Sequence, residues 1–199
     1  MALHPFPETE IYAQGFRYVA GLDEVGRGCI AGPVVAAACI LPQEHCIVGL
    51  RDSKKLSGKQ RESLYEQICS QALSFSVASV SAEEVDRINI HRASLKAMSI
   101  ALATLSLSPE YLLIDGIFTL ADVKLPQKAI VKGDDLSPCI AAASILAKVS
   151  RDHLMVASQA DYPEFSFLSH KGYGTKKHYE ELSVHGASPL HRKSFKGVE

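Results

Sequence analysis

Two short apolar runs separated by a glycine-rich break limit what this chain can fold into. Arg17 to Val25 reads as a strand that ends in the turn Gly26-Arg27-Gly28. After Gly32-Pro33, the run Val34 to Leu41 is β-branched at its start and closed by Pro42. Short runs bounded by Gly and Pro fit strands, and their close connection makes them antiparallel neighbours. Downstream the period changes. Ser57 is placed to cap a helix in which Leu64, Ile68 and Ala72 share a face. Ser74 to Val80 alternates as a strand, and Ser81-Ala82-Glu83-Glu84 reads as a capping box. Between His91 and Leu105, the residues Leu95, Met98, Leu102 and Leu105 keep helical spacing. Tyr111 to Asp115 reads as a buried strand with a carboxylate at its C-terminal end, and Ala129 to Val131 as a short second one. From Pro138 to about Met155 no glycine or further proline interrupts a helical pattern, and Ala141 to Ser144 are small enough to pack close to a sheet. A last helix is expected from about Thr175 to His185. This order predicts an α/β domain with a mixed β-sheet flanked by helices, antiparallel at first and joined by helical crossovers later.

Composition narrows the function classes. With 199 residues the chain fits one domain, or one with a small appendage, and 47% hydrophobic with 22% charged residues is ordinary for a globular protein. No apolar run approaches the ~20 residues of a membrane span. Met1 to Glu10 has neither a basic region nor an apolar one, so a cytoplasmic location is expected. The cysteines Cys29, Cys39, Cys46, Cys69 and Cys139 are scattered without a C-x-x-C pair, against both a disulfide framework and a structural zinc site. A net charge of −1 gives no global sign of nucleic-acid binding, although the segment from Leu168 onward is locally cationic.

Acidic residues at strand ends carry the chemistry. Asp23 and Glu24 precede the Gly-rich turn, Asp115 ends a strand before Gly116, and Asp134 follows Lys132-Gly133. Ligand sites in α/β sheets gather at strand C-termini. Carboxylates delivered there suit hard Mg²⁺ or Mn²⁺ and phosphodiester hydrolysis. The same residues taken singly also suit turns and helix caps. Adjacent Asp23 and Glu24 face opposite ways along a regular strand, so both reach one site only if the strand twists or ends there.

The segment Gly21-Leu-Asp-Glu-Val-Gly-Arg-Gly-Cys-Ile-Ala-Gly-Pro-Val-Val-Ala-Ala-Ala38 resembles the opening motif of ribonuclease HII. Arg51-Asp-Ser-Lys-Lys-Leu-Ser57, Asn89-Ile-His-Arg-Ala-Ser94, Leu113-Ile-Asp-Gly116, Lys132-Gly-Asp134 with Ser144 to Asp152, Lys171 to His178 and His191 to Phe195 are similar to the later motifs, in family order. The resemblance implies a ribonuclease H-like fold, with residues 1–16 as an N-terminal segment, 17–160 as the catalytic domain and 161–199 as a helical extension completing the substrate groove.

It further implies a metal quartet of Asp23, Glu24, Asp115 and Asp134 holding two divalent ions, Mn²⁺ or Mg²⁺. The implied substrates are RNA–DNA hybrids and DNA duplexes containing ribonucleotides, cut to leave 5′-phosphate and 3′-hydroxyl ends. Gly26, Arg27 and Gly28 match the turn that senses the ribonucleotide, and Tyr173 the tyrosine against the neighbouring sugar. A plain β-turn and a core tyrosine are the bland alternatives. Lys54, Lys55, Ser144 and Lys148 are candidates for substrate contacts. Asp135 and Asp152 are rival acids, Asp152 expected to be structural. His178, His185 and His191 are expected at the surface or at helix ends. A monomer is expected. A resolvase-like or transposase-like nuclease of the same fold and a non-catalytic hybrid-binding module are the competing readings.

Overall fold

The computed structural model describes residues 6–198. One sheet is built from β1 (Val19–Val25), β2 (Val34–Ile40), β3 (Ser74–Val80), β4 (Tyr111–Asp115) and β5 (Gln127–Ile130), in the order β3-β2-β1-β4-β5. β1 pairs antiparallel with β2, and β2 with β3; β1 pairs parallel with β4, and β4 with β5. The sheet is therefore mixed, with the antiparallel strands first in sequence. The helices are α1 (Pro7–Ala13), α2 (Gly58–Gln71), α3 (Ala82–Ile88), α4 (Ile90–Ala103), α5 (Gly133–Leu136), α6 (Pro138–Ala157), α7 (Phe167–His170) and α8 (Lys176–His185). No helix among the described residues is long and apolar enough to cross a membrane.

Local chemistry accounts for most boundaries. Ser57 and Gln60 form a reciprocal capping box at the start of α2. At α3 only half of the expected box forms. Ser81 accepts the Glu84 N–H, but the Glu84 carboxylate turns outward to Arg87 and Lys96, which offer it full charges. α1, α5 and α7 were not expected, because four to seven residues are too few to show a period. α1 does have a tertiary role. Glu8 is buried and accepts from the Ser137 hydroxyl and the Cys139 N–H, satisfying the first turn of α6.

The two faces of the sheet bury different helices. Ala20, Leu22, Ala36, Ala38, Leu112 and Ile114 pack with Ala93, Ala97 and Met98 of α4. On the other face Val35, Ala37 and Cys39 meet Leu64 and Ile68 of α2 and Ala142, Ala143 and Leu146 of α6. Every residue of β2 is buried, as a strand covered on both sides must be. All five cysteines are free thiols. The C-terminal region adds a smaller cluster in which Phe165, Phe167, Leu182 and Val198 cover Ile30, Ala31 and Met155.

One contact fixes α6 on the sheet. A Cβ placed on Gly21 would lie 2.1 Å from the carbonyl carbon of Cys139, so helix and strand touch backbone to backbone. Neither backbone can give way to a methyl group. Gly21→Ala is expected to lower unfolding free energy by about 3 kcal/mol, the upper part of the usual overpacking range. Chemical denaturation measures it, and an unchanged midpoint would show that α6 can move off the strand.

Candidate active site

The strands part where the carboxylates stand. Pairing of β1 with β4 stops at Leu22↔Ile114, while β1 stays paired with β2 to Val25↔Val35 and β4 with β5 to Asp115↔Ile130. A cleft opens between the C-terminal ends of two parallel strands, with Asp23 and Glu24 on one lip and Asp115 on the other. Leu22 belongs to the α4 face, so Asp23 turns towards α6 and Glu24 back towards α4. The opening of the cleft, rather than a twist that aligns the two side chains, lets both approach Asp115. Asp134 arrives separately. Lys132 takes a left-handed conformation, and the Gly133 N–H donates to Asp115 Oδ1 at 2.7 Å, tying α5 to the end of β4.

The acids are held under electrostatic stress. Asp23 is 6% exposed, and burial first, then the charges of Glu24 and Asp115, push its carboxyl well above the ordinary range. The Ser144 hydroxyl and the Glu24 N–H, at 2.7 Å from Asp23 Oδ1, oppose that rise. Glu24 is also raised, chiefly by burial, although Arg27 at 3.2 Å pulls it down. Asp134 is pushed up to about 6 by burial and by Asp115. Asp115 is the charge felt by all three. Among the described residues, no three Asp, Glu, His or Cys side chains close around one point tightly enough to hold an ion alone. The donor set is nonetheless all oxygen, buried at Asp23 and Asp134, and mutually repelling. It fits hard divalent cations that keep several waters or phosphate oxygens, and not a closed structural cage.

The remaining expected residues fall around this cleft. Lys54 and Lys55 are exposed and, with Asp52, Lys132, Asp134 and Asp135, border an open depression beside Asp115. Lys55 pairs with Asp135 at 2.5 Å. Ser144 is buried behind Asp23, 3.0 Å from the Ser53 hydroxyl, so it supports the acid from inside. Lys148 pairs with Asp152 at 2.8 Å, the structural role expected of that acid, and lies 5.4 Å from the centre of the Tyr173 ring. Tyr173 is 38% exposed, and its backbone bridges to Cys29 just beyond the Gly26–Gly28 turn. Arg27 and Gly28 are exposed at the tip of that turn.

The histidines require a correction. His178 and His191 are not surface residues: both are buried, with His170 beside them. His178 Nδ1 donates to the Tyr173 carbonyl at 2.9 Å, which leaves its Nε2 to accept from His191 Nε2 at 2.9 Å. His191 Nδ1 in turn accepts the Ser188 N–H. Burial, and for His191 the neighbouring His178, hold both rings neutral, His191 down to about 4. His185 closes α8, as expected of a helix-end residue. Sequence spacing misses this cluster because its members come from three segments. Two buried arginines, Arg151 and Arg192, were likewise not singled out.

A family model described as Ribonuclease HII matches residues 20–198. The chain belongs to the ribonuclease HII family. Its members are hydrolytic endonucleases of the ribonuclease H type. A ribonuclease HII of Desulfitobacterium hafniense (strain DSM 10664 / DCB-2) is 50% identical over 96% of this chain and 74% of its own. One from Caldicellulosiruptor saccharolyticus is 47% identical, covering 94% and 91%. Among solved structures, ribonuclease H2 of Pyrococcus horikoshii OT3 superposes with a TM-score of 0.75 at 25% identity, covering 91% of this chain and 95% of that one. A Bst ribonuclease HIII in complex with Mn²⁺, at 20% identity and TM-score 0.73, covers all of this chain and 73% of its own, and shares the fold.

The raised carboxyls make metal binding and pH interdependent. An acid raised on folding contributes stability that is present below its unfolded value and lost as pH rises through its folded value. For Asp134 that window runs from 3.8 to about 6. Divalent ions bind the deprotonated form and offset the loss. Mg²⁺ or Mn²⁺ is therefore expected to raise Tm more at about pH 7.5 than at about pH 5. An equal shift at both pH values would argue against an acidic cation site.

Proposed function

We propose that this chain hydrolyses the RNA strand of RNA–DNA hybrids and cuts on the 5′ side of ribonucleotides embedded in duplex DNA, leaving 5′-phosphate and 3′-hydroxyl ends. Two divalent ions, Mg²⁺ or Mn²⁺, would be held by Asp23, Glu24, Asp115 and Asp134. The reading rests first on Asp115, which stands at the mouth of the cleft and couples to the other three acids. The Mn²⁺ bound by the ribonuclease HIII of like fold agrees with it. Bound metal supplies a water-derived nucleophile at neutral pH and neutralises charge on the phosphate.

The chain's own groups do the rest. Lys54, Lys55 and Lys132 face solvent beside Asp115 and would orient phosphates. Arg27 is paired with Glu24 in the free protein and would have to exchange that partner when substrate and metal enter. The turn at Gly26, Arg27 and Gly28, exposed at its last two residues, would bring backbone close to the sugar, where the 2′-hydroxyl distinguishes RNA from DNA. Tyr173, braced by Lys148 and Arg151, would lie against the adjacent sugar. Residues 161–199 would complete the groove by holding Tyr173 beside the turn. All these groups come from one chain, so a monomer suffices.

The decisive assay uses a labelled DNA duplex with one ribonucleotide, an all-DNA duplex as control, and Mg²⁺ or Mn²⁺. Cleavage just 5′ of the ribonucleotide and none of the control is the expected result. Asp115→Asn is expected to lower turnover on the order of 10³-fold while hybrid binding persists. Near-normal turnover by that variant would remove Asp115 from the site.

Gly28 offers a gentler probe. A Cβ there meets nothing within 4 Å, so Gly28→Ala should fold as the parent does. Its methyl group would stand between turn and sugar, and kcat/KM on the single-ribonucleotide duplex should fall about tenfold or more. An unchanged rate would mean that the sugar does not approach the turn.

A further inference from the structure

Two arginines behind the turn lack the partners that buried charges usually have. Arg151 and Arg192 are fully buried, and among the described residues neither forms an ion pair. Their donors go to main-chain carbonyls instead. Arg192 Nη1 donates to Gly26 O at 2.7 Å and Arg27 O at 3.2 Å, while its Nε and Nη2 donate to Gly32 O at 3.0 and 2.8 Å. From the other side, Arg151 donates to Ala31 O at 3.0 Å, Pro33 O at 3.0 Å and Lys171 O at 2.9 Å. Asp86 is engaged elsewhere, accepting the N–H groups of Lys193 and Ser194. Apolar side chains could fill this space without burying charge, so the arginines need an explanation beyond packing.

We propose that Arg192 is the positioning residue that aims the turn's amides at the 2′-hydroxyl, which rests on the reading of Gly26–Gly28 given above. The C=O and N–H of a trans peptide point opposite ways. The carbonyl of Gly26 shares its peptide plane with the Arg27 N–H, and the carbonyl of Arg27 shares its plane with the Gly28 N–H. By drawing both carbonyls inward, one guanidinium, joined at Gly26 O by the Cys29 N–H at 3.3 Å, turns both N–H groups outward. Arg27 and Gly28 are exposed, and neither amide has a backbone partner among the described residues. Glycine at both ends of this turn makes flipping of these planes easy, so a lock has something to do. Burial lowers the guanidinium to about 10, which leaves it charged at neutral pH. A lysine has a single point charge and cannot span the same three carbonyls.

The test is binding, which separates positioning from turnover. In an Asp134→Asn background that spares the substrate, affinity is measured for a duplex with one ribonucleotide and for its all-DNA counterpart, with Tm recorded. Adding Arg192→Lys is expected to compress the preference for the ribonucleotide about tenfold or more, with all-DNA binding unchanged. A merely structural defect would weaken both complexes alike, and a retained preference in the folded variant overturns the proposal. If the background protein shows no preference, the reading of the turn itself fails, and the proposal with it. Should Arg192→Lys not fold, Asp86→Asn loosens the same segment from the surface. It is expected to reduce the preference in the same direction, and an unaltered preference there counts as refutation.

Discussion

The contact between α6 and β1 governs most of what the site can do. Gly21 leaves no room for a side chain against Cys139, so the helix lies on the central strand with its axis and rotation fixed. Residues Ser144, Lys148, Arg151 and Met155 then follow one another along a single helical stripe. Each meets a different part of the surface from the acidic cleft to the turn: Ser144 backs Asp23, Lys148 lies near Tyr173, and Arg151 fills the space beneath Gly26. Met155 closes the row, its sulfur where a side chain on Gly32 would be. About 16 Å of rigid helix thus sets the spacing between the acidic cleft and the turn beyond it. A shift of the helix by one turn would displace all four together.

That rigidity also keeps opposite charges from cancelling. Asp23 and Glu24 are separated from the turn by a single residue, and two guanidiniums lie just behind it. A buried arginine paired with either acid would satisfy both and leave neither for a cation. The carbonyls of Gly26, Ala31, Gly32 and Pro33 prevent this by occupying the guanidinium donors. Burial first, and then the repulsion of the unpaired acids, holds the Asp23 and Asp134 carboxyls above the ordinary range. Among the described residues only Arg27, at the exposed tip, reaches Glu24, and an ion pair with one exposed partner is weak enough to be exchanged.

The sequence made the sheet and the acids legible for physical reasons. β2 is short and apolar throughout, β4 is apolar up to its terminal Asp115, and α4 and α6 are long enough to show their period. The small residues Ala141 to Ser144 implied a close approach of helix to sheet, and the structure has one, made at Gly21, which the sequence did not mark for it. Asp23, Glu24 and Asp115 could be placed because a strand end can be read locally. What escaped depends on distant partners. Glu8 reads as a surface acid until Ser137 comes to meet it, and α1 is too short to announce itself. His178 and His191 lie in a polar, charged tail, where burial is improbable unless Phe165 and Phe167 fold over them. Arg192 is one basic residue among several in that tail, and nothing local distinguishes it from its neighbour Lys193, although one is buried and the other exposed.

The looseness of the acidic cleft has a consequence for how metal and substrate depend on each other. A cage of three or four convergent carboxylates would saturate an ion by itself and leave little for phosphate oxygens to complete. Here no such cage exists among the described residues, and Asp115 is shared between the acids on either side. Ions bound at the proposed site would keep open positions, which a phosphodiester could fill. Metal and nucleic acid would then each raise the affinity of the other by the same factor, as linkage requires. The turn contributes to that coupling. On the proposed reading, a sugar held by fixed amides would place its phosphate over the cleft, whereas a deoxyribose lacks the hydroxyl that those amides would hold. Selectivity for RNA and assembly of the metal site would in this way be one event, joined by the few residues of β1 that lead from Asp23 to Gly28.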